Sequence, residues 1–160
     1  MLSLVARDEY LRKMKTIMAL DQENYKELLA LWELSVTATH DFLSKEDIQV
    51  YRELIGETYL QSLTLFGMRV NGKIVGFIGL KDQLIQMLFV HPNYMRMGLG
   101  KALVDFAIKE YNVTEVDVNE QNTQALKFYN NLGFEAFDRF EKDDAGKPYP
   151  ILSLALINKS

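Results

Sequence analysis

The residues with the most chemistry in them begin at a glycine-bearing junction. Tyr94-Met95-Arg96-Met97-Gly98-Leu99-Gly100-Lys101 stands between a strand-like apolar run and a helical one. Glycines at such a junction let backbone N–H groups approach a ligand, and the free N–H groups at a helix start favour phosphate. Arg96 and Lys101 add positive charge beside them. Two familiar phosphate loops are excluded. A dinucleotide fingerprint needs a small residue three past the second glycine, where Leu103 stands. A P-loop needs glycine where Met95 is, and Ser or Thr where Ala102 is. On their own, Gly98 and Gly100 also suit an ordinary strand-to-helix turn.

Three further side chains have types suited to proton transfer. His40, in Thr39-His40-Asp41-Phe42, titrates near neutrality when unperturbed. Asp117 falls on the polar side of a strand with Glu115 and Asn119, opposite Val116 and Val118. Tyr129 follows Ala125 by four residues and so shares its helix face. Each has a purely structural alternative: a satisfied histidine, a solvated carboxylate, a core tyrosine beside Phe128. Glu120 reads as a loop charge and His91, before Pro92, as a surface loop residue.

The loop at 94–101 resembles the pyrophosphate loop of the GCN5-related N-acetyltransferases. Asn122-Thr123-Gln124-Ala125, Phe128-Tyr129 and Gly133-Phe134 resemble that family's second motif, in the expected order and separation. The resemblance covers about residues 15 to 157. More narrowly, SVTATHDFL at 35–43, VNEQN at 118–122 and GKPYP at 146–150 are similar to the YjaB-type bacterial acetyltransferases. One departure is Met95, where the family loop usually begins with Gln or Arg.

The resemblance implies an acyl-CoA N-acyltransferase fold, α/β with a mixed, mostly antiparallel sheet flanked by helices. It implies acetyl-CoA as acyl donor and a primary amine as acceptor. The family's pattern puts pyrophosphate on Arg96, Met97, Gly98, Leu99, Gly100 and Lys101. It puts the pantetheine arm along the backbone of Leu88, Phe89 and Val90, as an added strand. Asn122 then bonds near the pantetheine as well as capping a helix, and the Tyr129 hydroxyl protonates the departing thiolate. An N–H of Phe89 or Val90, freed by a strand bulge, is expected to polarise the thioester carbonyl. Asp117 or His40 would take the amine proton, and His40, Asp41, Asn119 and Tyr149 would face the acceptor. Without cysteine there is no thiol to carry an acetyl-enzyme, so direct attack is expected. The acceptor is a protein lysine, an N-terminal amine or a small amine. The competing reading is a catalytically silent acetyl-CoA sensor.

The elements that must hold these residues follow from periodicity. Lys15 to Leu20 reads as a strand, and Asp21 as the N-cap of a helix carrying Tyr25, Leu28, Leu29 and Trp32. Residues 35–43 read as a loop or broken helix. Ser44 with Asp47 resembles a capping box for a helix to about Gln61. Leu63–Val70 and Lys73–Leu80 are strands joined by Asn71-Gly72, a type I′ hairpin signal. Leu84–Val90 is a third strand, and Leu99 to Tyr111 is a well-buried helix. A strand at Val113–Val118, a helix at Asn122–Leu132 and a pair at Phe134–Phe140 and Ile151–Ile157 complete the order.

The chain has 160 residues, enough for one domain at 15–160, with residues 1–14 an extension. Its net charge of −4 disfavours nucleic acid, because phosphate recognition needs a basic face. Arg7, Asp8 and Glu9 interrupt any signal-peptide core, and no apolar run is long enough to span a membrane. A cytoplasmic setting is expected. Two distant histidines and no cysteine exclude the common zinc spacings, so no metal is expected. The pattern is compatible with a monomer or a homodimer.

Overall fold

A computed structural model describes residues 3–6, 9 and 16–157. The expected extension at 1–14 lies for the most part outside the described residues. Among the described residues the order is β1 Met18–Leu20, α1 Tyr25–Thr39, α2 Lys45–Leu54, β2 Thr64–Val70, β3 Lys73–Lys81 and β4 Leu84–Val90. It continues with α3 Leu99–Tyr111, β5 Glu115–Asn119, α4 Thr123–Asn131, β6 Phe134–Phe140 and β7 Ile151–Leu156. The strands form one mixed sheet of order β1-β2-β3-β4-β5-β7-β6, antiparallel except for the β4–β5 pair.

The hairpin between β2 and β3 forms at Asn71-Gly72, whose φ angles of 51° and 80° are those a type I′ turn demands. Two cores cover the two faces. α3 and α4 pack Leu99, Leu103, Val104, Ala107 and Tyr129 onto Val75, Ile78, Leu80, Ile85 and Val116. On the other face α1 contributes Leu28, Leu31, Trp32 and Val36 against Leu65, Ile74, Phe77 and Met87.

Ile85 and Met87 belong to opposite cores, although residues two apart in a strand normally share a face. The register explains this. Gly79 pairs with Met87 and Leu80 with Ile85, so Gln86 is an extra residue, a β-bulge. Beyond it, Leu88 and Val90 lean on the α3 side, and Phe89 joins Met87 on the α1 side.

The first half departs from expectation in places. α1 runs unbroken through Ser35–Thr39, because Ser35 and Val36 are buried and continue its apolar stripe; the turn begins only at His40. Asp21 caps a short 3₁₀ turn, Gln22–Asn24, which leads into α1. Ser44 does cap α2 by accepting from Asp47 N–H, but the Asp47 carboxylate is spent elsewhere, on Tyr149 and Lys147. Beyond Leu54 the helical path continues as a π turn, Ile55–Tyr59, and a 3₁₀ turn, Leu60–Ser62, in keeping with the expected end near Gln61. In the π turn Gly56 lies where a Cβ would come within 2.9 Å of Leu29 Cδ1, so α1 and this turn meet closely and a larger residue would have to turn the Leu29 side chain aside.

Candidate active site

The site opens where the sheet splits. β4 and β5 pair only at Leu84 with Glu115 and Ile85 with Val116, and then diverge. In the antiparallel ladder with β3, His91 N–H donates to Val75 O. Backbone direction alternates along a strand, so Met87 and Phe89 face β3 while Leu88 and Val90 turn their N–H and C=O groups into the gap. This corrects the expected source of the free N–H. The expected bulge is present, at Gln86, where β4 parts from β5, and the N–H groups that face the gap beyond it belong to Leu88 and Val90, not Phe89.

A cleft of about 1290 Å³ runs through the gap. Its lining includes Leu88, Phe89, Val90, Arg96, Gly98, Leu99, Gly100 and Lys101 on one side of the split, with Asp117, Asn119, Asn122, Tyr129 and His40 around its centre. Thirteen separately chosen positions thus converge on one space. Asp41, Met97 and Tyr149 lie outside this lining.

At the end near α3 the backbone is built for an anion. Arg96 and Gly98 both adopt left-handed φ, 64° and 80°, the alternation of backbone conformation from which anion-binding nests are made. Gly98 is the N-cap of α3 and supplies no side chain to its N–H groups. The first intrahelical bond is Ala102 N–H to Gly98 O, so the N–H groups of Leu99, Gly100 and Lys101 are unpaired among the described residues. A Cβ on Gly100 would sit 3.3 Å from Phe128 Cζ, so the residue is pressed between the loop and α4. Lys101 is paired with Asp105 at 2.6 Å, whereas Arg96 has no ion-pair partner among the described residues. These groups fit a diphosphate, with charge coming from Arg96 and from the helix end.

At the centre of the cleft stand Tyr129 and Asp117. Tyr129 is only 5% exposed, held edge-on between Phe128 and Phe134 at ring separations of 5.0 and 5.6 Å. No hydrogen bond engages its hydroxyl among the described residues, yet that hydroxyl is not sealed from the cleft. Burial raises its pKa well above the usual tyrosine range, so it stays a protonated donor. Asp117 is held by the Ser153 hydroxyl, which donates to it at 2.7 Å. Partial burial raises the Asp117 pKa, with a smaller push from the charge of Asp144 and an opposing pull from Ser153. A carboxylate with a raised pKa is a better base than an ordinary one.

His40 closes α1, and its ring packs on Phe42 and Phe89 at 5.3 and 6.4 Å. Burial lowers its pKa to about 4, against a raising effect of Asp41, so it is neutral near pH 7. Asn122 caps α4 through Oδ1, which accepts from Ala125 N–H at 3.1 Å. Asn119 turns its Oδ1 back to Gln121 N–H. His91 accepts from Asn93 N–H and caps a 3₁₀ turn, in keeping with a loop role.

Sequence reasoning missed the groups that brace the site. Ser153 orients Asp117, and its signal was present: it is the one hydroxyl in the apolar run Ile151–Leu156. The β6–β7 loop is tied to α2 by three bonds. Tyr149 donates to Asp47, Lys147 pairs with Asp47 at 2.8 Å, and Tyr51 donates to Asp143. The loop thereby brings Asp143, Asp144 and Ala145 to the cleft wall. Tyr149 acts in this brace, packed on Phe42 and Tyr51, and not on the cleft surface.

The chain resembles known proteins along most of its length. Residues 20–147 match the acetyltransferase (GNAT) domain family. Peptidyl-lysine N-acetyltransferase YjaB of Escherichia coli is 38% identical over 135 residues, 84% of this chain and 92% of that protein. YjaB of Salmonella typhimurium is 39% identical over 132 residues, covering 82% and 91%. The solution structure of apo-form YjaB from E. coli superposes with a TM-score of 0.81 at 38% identity, covering 90% of this chain and 98% of that one. PaiA N-acetyltransferase from Thermoplasma acidophilum, solved with coenzyme A, shares the fold at a TM-score of 0.69 and 21% identity, covering 86% and 96%. With a splayed β4–β5 pair, a helix start with unpaired N–H groups and this degree of similarity, the chain belongs to the GNAT family of N-acetyltransferases, enzymes that move an acetyl group from acetyl-CoA to a primary amine.

Proposed function

We propose that the acceptor is a protein lysine and that the amine attacks acetyl-CoA directly, with both substrates bound. The observation that carries this reading is the pairing in one cleft of a half-buried carboxylate, Asp117, with an unengaged buried hydroxyl, Tyr129. The donor's diphosphate would rest on the N–H groups from Arg96 to Lys101, and its pantetheine would lie along Leu88 and Val90. Asp117 takes the proton from the acceptor ammonium. The freed amine forms the N–C bond, the C–S bond breaks, Tyr129 gives its proton to the sulfur, and the extra proton on the new amide nitrogen leaves and restores the Tyr129 hydroxyl. Asn122, Asn119 and His40 shape the space between the two substrates.

Lysine as the acceptor is supported by the activity named for YjaB and by charge. Asp117, Asp143 and Asp144 all line the cleft, an arrangement that attracts a cation. The lining carries Lys101 and Lys127 as well as Arg96, but these belong to the donor half and to α4. The domain would comprise residues 15–160.

The test is coenzyme A release with mass spectrometry of the products. Three acceptors are offered with acetyl-CoA: lysine peptides with blocked N-termini, lysine-free peptides with free N-termini, and small polyamines. Acetyl-lysine on the first set, turned over fastest, is the expected result. Preference for either other set overturns the lysine reading. Binding of acetyl-CoA with no transfer to any amine overturns catalysis and points to a sensor.

A further inference from the structure

Four cleft residues form a hydrogen-bonded chain whose polarity can be assigned from its ends. The Thr39 hydroxyl lies 2.8 Å from Ser35 O, a carbonyl that can only accept, so Thr39 donates there. Its oxygen is also 2.8 Å from His40 Nδ1 and, having spent its proton, must accept from that nitrogen. Nδ1 therefore carries the hydrogen and Nε2 is bare. At the other end, Asn122 Oδ1 accepts from Ala125 N–H, which fixes the amide and turns Nδ2 outward. Nδ2 lies 3.4 Å from His40 Nε2 and donates to it. The donors run in the order Asn122, His40, Thr39 and end on the Ser35 carbonyl as acceptor, and all four residues line the cleft.

We infer that His40 is a positioning residue: held as the Nδ1–H tautomer, it ties the C-terminal end of α1, on the acceptor side, to the N-cap of α4, the helix that carries Tyr129. The inference rests on the acid–base assignment above, in that the base is Asp117 and not His40. The long Nδ2–Nε2 separation makes this a weak bond, well suited to alignment and of little use to stability. Protonation of His40 would set an N–H against the Asn122 N–H, and the contact would be lost. The groups facing the ring are Phe42 and Asp41 from its own turn, Phe89 from β4, and Asn122 from α4. Asp41 is the one charge among them, it is exposed, and burial outweighs it. The contact therefore persists through the neutral range.

His40→Gln is the decisive variant. Its side-chain carbonyl can accept from Asn122, and its amide can donate to Thr39, but it cannot take a proton from an amine. We expect His40→Ala to lower kcat about fivefold, the usual worth of one hydrogen bond. His40→Gln should recover most of that loss, and both variants should keep the acidic limb of the rate profile. Asn122→Ser retains a good helix cap while removing the donor. It should lower kcat in wild type but add little to His40→Ala. If His40→Gln is as slow as His40→Ala and the acidic limb vanishes in both, His40 is the base and the inference fails. If His40→Ala turns over like wild type, the tie does not exist. Should His40→Ala fail to fold, the Gln and Ser variants still decide between these outcomes. Loss of the acidic limb in Asp117→Asn alone separates failure of the underlying assignment from failure of the tie.

The tautomer has its own readout. His91 Nδ1 accepts from Asn93 N–H, so the protein's two histidines are opposite tautomers. Imidazole ¹⁵N spectra at neutral pH should show one ring protonated at Nδ1 and the other at Nε2, and His40→Gln should remove the first. Two rings both protonated at Nε2 would refute the assignment.

Discussion

Tyr129→Phe removes one oxygen and leaves the packing of the ring in place. The ring keeps its edge contacts with Phe128 and Phe134, and the lost hydroxyl has no hydrogen-bond partner to orphan among the described residues. Removal of an unengaged buried hydroxyl leaves stability unchanged or slightly raised, within about 1 kcal/mol. The kinetic effect should be far larger. A positioned proton donor contributes roughly 10²- to 10⁴-fold, so kcat should fall at least about a hundredfold, or about 2.7 kcal/mol in the barrier. Because burial holds the hydroxyl above the ordinary tyrosine range, it stays protonated through the working range. The wild-type profile should then show no alkaline limb from Tyr129 in that range, and the variant should be slow at every pH without a change of shape. The assay is coenzyme A release under saturating acetyl-CoA, alongside a thermal melt and a calorimetric titration of acetyl-CoA. A variant that keeps wild-type kcat refutes the proton-donor role. A variant that loses both Tm and coenzyme affinity shows instead that the hydroxyl serves the fold.

Gly100→Glu should abolish measurable acetyl-CoA binding by calorimetry, since its Cβ would already crowd Phe128 Cζ at 3.3 Å and its charge would oppose the phosphates; undiminished affinity would move the diphosphate away from α3. Asp117→Asn should lower kcat/KM and remove the acidic limb, which in wild type should lie above the ordinary carboxylate range because the Asp117 pKa is raised. A raised carboxylate favours folding fully below its unfolded pKa and loses that contribution as pH rises through the folded one. The same variant should therefore melt slightly higher than wild type at pH 7, and a lower melt would contradict the raised pKa. Tyr149→Phe and Asp47→Asn should raise the acceptor KM while the acetyl-CoA KM stays put, because they loosen the β6–β7 loop from α2. The bonds from Lys147 and Tyr149 hold the Asp47 pKa below its ordinary value, so its contribution to stability is present above that value and fades only as pH falls further, through the lowered one. The ratio of acceptor KM between Tyr149→Phe and wild type should thus stay constant down to the carboxylate range, and its collapse at mildly acidic pH would count against the brace.

The donor half of the cleft was legible because its determinants are local. The run from Ile85 to Tyr111 is strand, loop and helix in sequence, so apolar period and two glycines were enough to place β4, the turn and α3, while the reading of that turn as a pyrophosphate loop came from the family resemblance. The Asn122 cap and the helix face of Tyr129 followed from local pattern, whereas the role of the Tyr129 hydroxyl followed from the family resemblance. The Gln86 bulge was not legible, since nothing in Leu84–Val90 distinguishes an extra residue from a paired one; it emerges only from the β3 register. The uninterrupted end of α1 was misread because Ser35, Thr37 and Thr39 look like breakers, whereas burial of Ser35 and Val36 overrides their weak propensity.

The acceptor half is different in kind. Its defining bonds join residues 82 apart for His40 with Asn122, 92 for Tyr51 with Asp143 and 102 for Asp47 with Tyr149. No local pattern encodes such pairings, because each partner alone looks like a surface polar residue. They also share a consequence. All three connect α1 or α2 to the segments that follow β5, across the mouth opened by the β4–β5 split. The sheet itself contributes little there, since only two residue pairs join β4 to β5. In the proposed assignment of the two substrates, side-chain bonds therefore set the width of the acceptor mouth, while the backbone sets the donor channel. Substitutions in α1, α2 and the β6–β7 loop should accordingly change which amine is taken and leave acetyl-CoA affinity intact, a separation that titration of each variant with the donor alone would expose.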